Sequence, residues 1–153
     1  MIASIDYLGA TWAERMAADI AGALDHILIT TLSIQKPTQM VHGSYAKLYQ
    51  SLLDAAKAGV ETHLYLPASH KSHPATLKNN GMANELAKAG VQVHQIRVSH
   101  LLHAKTCVID NKISYIGSGN WTAAAANHNH EGYIRAVCEK LALDIKARWE
   151  LLA

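Results

Sequence analysis

His103 and Lys105 stand two residues apart, followed by Asp110 and then by Gly117-Ser118-Gly119-Asn120. Side chains alternate faces along a β-strand, so residues two apart share a side. An imidazole and an ammonium so placed can work on one phosphate. His103 can attack phosphorus while Lys105 holds the phosphate oxygens. Ser118 and Asn120 are also two apart, and a hydroxyl and an amide there can donate to the same group. Asp110 has the opposite parity to His103 and Lys105. It is expected to point away from them and to act structurally, fixing a turn or pairing across a sheet.

These residues need strands to position them. Thr106-Cys107-Val108-Ile109 and Ile113-Ser114-Tyr115-Ile116 read as two strands joined by a tight turn at Asp110-Asn111-Lys112. Upstream, Trp12, Met16, Ala17, Ile20 and Leu24 recur at helical spacing and predict a helix over residues 11–24. The β-branched run over residues 26–34 suits a buried strand. Residues 35–43 hold Pro37 and Gly43 and predict a loop. Ser44 is placed as the N-cap of a helix that Gly59 ends in the left-handed region. Strands are expected over residues 60–66, 91–98 and 131–138. Helices are expected over residues 79–89 and 139–152, with a short helical turn over residues 121–126. Residues 67–77 carry Pro67 and Pro74 and predict a mobile or substrate-facing loop. This alternation implies an α/β fold. It predicts an α-β-α sandwich whose mixed central sheet is mostly parallel and is flanked by helices. Residues 1–153 make one domain.

At 153 residues with a formal net charge of +2, the chain does not carry a general coat of basic charge, although a local basic patch remains possible. No segment reaches the length of a membrane span, and no amphipathic membrane-binding helix is evident, so no stable membrane association is expected. Residues 1–6 carry no signal-peptide pattern. The compartment stays open: cytoplasmic if Met1 is the natural start, periplasmic or secreted if a leader has been removed. Cys107 and Cys138 sit in apolar runs and read as small buried hydrophobes. Ten histidines invite a metal site. His128 and His130 beside Glu131 lack helical ligand spacing, however, and His70 and His73 sit in a polar loop. Surface histidines are the expected reading, with no metal and no cofactor.

His103, Lys105, Asp110, Gly117, Ser118 and Asn120 together resemble the HxK(x)4D(x)6GSxN signature of the phospholipase D superfamily, and every specified position is filled. Over nearly its whole length the chain is similar to the small single-motif, homodimeric bacterial endonucleases of that superfamily. The shared features are the order of elements, an Ala-Gly-Val turn at residues 58–60, and a glutamate, Glu131, eleven residues past Asn120. The resemblance implies catalytic roles for His103, Lys105, Ser118, Asn120 and Glu131. It implies motif-supporting roles for Gly117 and Asp110. A carboxylate bonded to one imidazole nitrogen fixes the tautomer and stabilises the imidazolium. The resemblance gives that role to Glu131.

Phosphodiester cleavage through a covalent intermediate needs a nucleophile and a general acid. The superfamily draws two histidines from two HxK motifs, and this chain holds one. No other histidine is followed two residues later by lysine. The second motif is therefore expected from a second copy, with the active site on the two-fold axis. The leading expectation is a metal-independent nuclease that cuts DNA or RNA through a phosphohistidine. The alternatives are a phospholipase or transphosphatidylase acting on lipid head groups, and a nucleic-acid-binding module without turnover.

Overall fold

Helical periodicity becomes helix wherever an apolar stripe finds a sheet to cover. Trp12, Ala13, Met16, Ala17 and Ile20 form the buried face of α1 (Trp12–Ala21). Tyr45, Leu48, Tyr49, Leu52 and Ala55 do the same for α2 (Ser44–Lys57). The two helices pack side by side on one face of a central sheet, over Ile27, Ile29, Leu64, Cys107 and Tyr115. The computed structural model describes residues 1–38, 43–97 and 99–152. Positions 39–42 of the expected loop and position 98 of an expected strand lie outside the described residues.

Among the described residues the sheet has seven strands: β1 (Ser4–Leu8), β2 (His26–Thr30), β3 (Glu61–Pro67), β4 (Gln92–Ile96), β5 (Lys105–Ile109), β6 (Ile113–Gly117) and β7 (Tyr133–Val137), in the order β1-β7-β6-β5-β2-β3-β4. The remaining helices are α3 (Asn79–Lys88), α4 (Ala123–Asn127) and α5 (Glu139–Glu150). The α/β sandwich and its mixed sheet match expectation. The share of parallel pairing does not. Of six ladders, only β2–β3 and β3–β4 are parallel. The short β5–β6 turn forces an antiparallel hairpin. β5 then runs antiparallel to β2, and the strand β1, which the sequence did not reveal, pairs antiparallel with β7.

α5 covers the other face of the sheet. Leu28, Tyr65, Ile96, Leu102 and Val108 meet Ala142 there, with Ile145 and Trp149 packed against them. Several boundaries shift for local reasons. α1 stops at Ala21, with Gly22 closing its last turn and residues 24–26 engaged by Asp110. Ser44 is not the cap of α2. Gly43 holds that position, and the Ser44 hydroxyl donates instead to Asn127 Oδ1 at 3.2 Å. β2 ends at Thr30, and Ile34 makes only an isolated parallel bridge to Trp121. Gly59 follows α2 with φ +90°, the left-handed value its position requires.

Candidate active site

One edge of the sheet collects the motif. The carboxyl end of β2, the amino end of β5, the carboxyl end of β6 and the amino end of β7 meet there. Lys105, Gly117 and Tyr133 are direct neighbours across β5, β6 and β7. His103 precedes β5 and is exposed, whereas Lys105 is its first residue and only 6 % exposed. Lys105 Nζ lies 3.0 Å from His103 Nδ1 and 3.2 Å from Nε2. An ammonium only donates, so it meets whichever ring nitrogen carries the lone pair. Burial pushes the Lys105 pKa down, and the nearby negative charge of Glu131 partly offsets this.

A threonine pair fixes this end of β5. Thr30 Oγ1 lies 2.8 Å from Thr106 Oγ1, accepts from Thr106 N at 3.1 Å and lies 3.3 Å from the Ala104 carbonyl. The backbone between His103 and Lys105 is thereby tied to β2. Thr31 does the same for the other half of the motif. Its hydroxyl lies 3.3 Å from Asn120 Oδ1 and 2.9 Å from the Ser33 carbonyl. The Asn120 oxygen is thus turned inward, and its amide nitrogen is left to donate.

Ser118 and Glu131 form a second pair. The Ser118 hydroxyl donates to Glu131 Oε2 and accepts from Gly132 N at 3.1 Å. Asn129 Nδ2 donates to Glu131 Oε1 at 3.3 Å. Among the described residues, Glu131 makes no hydrogen bond to the His103 imidazole, and the Ser118 proton is committed to Glu131 rather than free for a phosphate. Glu131 also lies in the turn before β7 rather than within it.

Glycine is required at Gly117. A β-carbon there would run into the Gly132 carbonyl and the Tyr133 ring. Tyr133 stacks on Trp12 with centroids 4.6 Å apart, and its hydroxyl donates to the Gly119 carbonyl. The two rings make the floor beneath the Gly117-to-Asn120 segment.

Asp110 lies at the opposite end of the hairpin. Its carboxylate accepts from Leu24 N at 3.0 Å, Asp25 N at 2.9 Å and His26 N at 3.0 Å. Burial opposes its ionisation, but these donors prevail and hold its pKa below the ordinary carboxylate value. Asp110 and Asn111 both adopt left-handed backbone, at φ 51° and 53°. These residue types tolerate that conformation.

The edge therefore brings together His103, Lys105, Gly117, Ser118, Asn120 and Glu131, and it excludes Asp110. Sequence reasoning missed Thr30, Thr31 and Tyr133. The available signal was two hydroxyls ending an otherwise apolar strand, since a buried hydroxyl needs a partner. Among the described residues, no three His, Cys, Asp or Glu side chains converge as a metal site.

Comparison with known proteins agrees with this geometry. Residues 16–150 match the family described as "Cardiolipin synthase, PLD-like domain". Cardiolipin synthase 1 of Staphylococcus aureus is 30 % identical over 121 residues, which are 76 % of this chain and 23 % of that protein. The chain thus spans about a quarter of that relative's length. Nuc of Salmonella typhimurium, a phospholipase D family member, superposes with a TM-score of 0.78 at 20 % identity, covering 97 % of this chain and 93 % of Nuc. NucT of Helicobacter pylori superposes with a TM-score of 0.72 at 14 % identity, covering 97 % and 94 %. At these identities the structural likeness speaks for the fold alone. With the family match over residues 16–150 and every position of the motif filled, all but Asp110 on one end of the sheet, the chain belongs to the phospholipase D superfamily of phosphodiesterases, as a PLD-like domain of the cardiolipin synthase type.

Proposed function

We propose that this domain is a metal-independent nuclease working as a homodimer, with one His103 from each copy. The observation that carries this reading is the contact of Lys105 Nζ with an exposed His103 imidazole, at 3.0 Å. His103 of one copy attacks phosphorus, forming a P–N bond as the leaving P–O bond breaks. His103 of the partner copy, protonated, gives its proton to the leaving oxygen. It then takes a proton from water, whose oxygen attacks the phosphohistidine and frees the first imidazole. Lys105 and the amide nitrogen of Asn120 neutralise the non-bridging oxygens. Glu131 acts by holding Ser118 and by keeping positive charge on Lys105. Asp110 and Gly117 support the hairpin. Side chains fill every role, so the mechanism calls for no divalent ion.

Nucleic acid is favoured as substrate because the single motif and the order of elements resemble those of the small single-motif endonucleases of the superfamily. The second reading, phosphatidyl transfer on lipid head groups, is favoured by the sequence likeness to cardiolipin synthases. No helix among the described residues is long and apolar enough to cross a membrane. The test is hydrolysis of a chromogenic phosphodiester in EDTA, followed by plasmid DNA, RNA and phosphatidylglycerol as separate substrates. Cleavage of nucleic acid in EDTA is the expected result. Turnover of phosphatidylglycerol alone would transfer the assignment to lipid. Activity that vanishes in EDTA and returns with Mg²⁺ would overturn the mechanism.

A further inference from the structure

The carboxyl ends of β3 and β4 lie at the same end of the sheet as His103, since β2, β3 and β4 run parallel and β5 starts where β2 finishes. A cleft of about 400 Å³ opens there, between the loop leaving β3 and the loop that runs from β4 to β5. Its floor is apolar, with Ile96 and Leu102 both buried. Its walls are not. His70 and His73 belong to the first loop, Arg97 and His100 to the second, and all four are exposed. Among the described residues, no carboxylate lines the cleft.

The first wall is fixed from within. Thr76 is fully buried, and its hydroxyl accepts from His70 N at 3.0 Å and donates to the His73 carbonyl at 2.8 Å. His73 N donates back to the His70 carbonyl at 3.0 Å, which closes a tight turn with the two rings 6.0 Å apart. Ala68 N donates to the Ile96 carbonyl at 3.3 Å and joins the two loops at their base.

The polar groups left over are donors. Ser72 N donates to His70 Nδ1 at 3.2 Å, so that nitrogen holds the lone pair and the ring proton sits on Nε2. His100 has its Nδ1 engaged as well, 3.0 Å from the Ser99 hydroxyl. Among the described residues Arg97 is in no ion pair, and a guanidinium only donates. Ring N–H groups and an unpaired guanidinium around a cleft without carboxylates suit an oxyanion. They do not suit a metal ion, since among the described residues no three such side chains converge on one point. The distance from His103 selects the anion. The cleft lies two to three strands from β5, which at about 4.8 Å per strand is roughly 10–14 Å. A strand of a duplex advances about 3.4 Å per phosphate, so the gap is roughly three to four nucleotides. A phospholipid head group does not span it.

We infer that this cleft binds a second backbone phosphate of the nucleic acid whose scissile phosphate lies at His103. The inference rests on the nuclease reading above and narrows its substrate class to chains several nucleotides long, held at two points. Arg97 is the principal anchor, because a guanidinium can meet two phosphate oxygens at once. His70 and His100 add single donors. None of the three touches the reacting phosphate, so they position the chain and leave the chemistry to the motif.

Steady-state kinetics on the full chain test this, with a dinucleotide, a single-stranded dodecamer and a chromogenic phosphodiester as separate substrates. The dodecamer is expected to show a KM at least tenfold below that of the dinucleotide. Arg97→Ala should remove most of that advantage through KM and leave turnover of the chromogenic phosphodiester unchanged. It should also lower the slope of log KM against log salt by about 0.7, the share of one phosphate contact on a single strand. His70→Ala combined with His100→Ala should act in the same direction, and it decides the matter if Arg97→Ala fails to fold. A wild-type KM for the dodecamer in every folded variant overturns the cleft while leaving the nuclease reading standing. Chromogenic turnover lost in step with dodecamer cleavage overturns it too, by putting Arg97 on the reacting phosphate. A wild type that cuts no oligonucleotide but turns over phosphatidylglycerol overturns the nuclease reading and the cleft with it. Unchanged dodecamer cleavage in Arg97→Ala, with lost binding to phosphatidylglycerol vesicles, gives the cleft to a lipid surface.

Discussion

Lys105 is buried, yet its ammonium reaches the imidazole of His103, which is exposed. The charge sits where the protein disfavours it. Burial lowers its pKa, so folding is opposed by that charge rather than helped. This arrangement is what the proposed role of Lys105 in the chemistry calls for.

Lys105→Met should therefore leave the melting temperature unchanged or raised, while removing an oxyanion donor and cutting turnover about 10²–10³-fold. His103→Ala should abolish measurable turnover with folding intact. Circular dichroism melts and phosphodiester hydrolysis check both. A melting temperature that falls with Lys105→Met, or only a few-fold loss with His103→Ala, contradicts the assignments.

Asp110→Ala should act on stability instead. It strips three backbone N–H groups of residues 24–26 of their acceptor. Part of that loss is made good by water, so the expected cost is about 2–3 kcal/mol. Denaturant unfolding measures it. The folded-state pKa of Asp110 is depressed, so its contribution is present above the unfolded carboxylate value and is lost as pH falls through the folded one. An Asp110→Ala protein of wild-type stability but no activity would place Asp110 in the chemistry.

Acid should loosen the face under α5. His26 and His94 both have lowered pKa values, each chiefly through burial. Lys146 and His63 depress His26 further against Glu61 and Glu150, and His63 depresses His94 further. His63 bridges the group, 2.9 Å from His94 Nε2 and 2.8 Å from Glu61 Oε1. For a histidine with a lowered folded pKa, the unfolded chain binds the extra proton first. Stability is then full above the ordinary histidine value of about 6.5 and falls as pH drops below it. Melting at pH 7.5 and 5.5 should show the loss, and His26→Gln with His94→Gln should flatten it. A pH-independent melting temperature over this range would contradict the prediction.

Mixing tests the shared site directly. Wild-type chains exchanged with excess His103→Ala chains should lose activity roughly as the square of the wild-type fraction, because a mixed dimer holds one histidine. A linear fall would mean that each chain carries a complete site.

The hairpin and the grouping of His103, Lys105, Ser118 and Asn120 were legible because they depend on short-range pattern. Alternation set Asp110 apart from His103 and Lys105; in the structure it is the length of β5 that separates them, with Asp110 bound to residues 24–26 at its far end. What was not legible depends on register between distant segments. β1 is five residues whose partner lies near the other end of the chain. Nothing local announces it, since Ile5 and Tyr7 face solvent. Thr30 and Thr31 bond to residues 104, 106 and 120, contacts that exist only once β2 has docked on β5. The Glu131 carboxylate has several polar neighbours within reach, and spacing could not decide that Ser118 holds it.

The hairpin is pinned at both ends, by Thr30 at Thr106 and by Asp110 at residues 24–26. Lys105 pairs directly with Gly117, and Asn111 stands midway between them. The four residues between Lys105 and Asp110 complete the strand that Lys105 opens, and the six between Asp110 and Gly117 are the turn and the strand returning. The fixed numbers in the motif are thus a ruler cut to one piece of backbone. A single residue added between the pins would turn half of its marks to the wrong face, however well each side chain were kept.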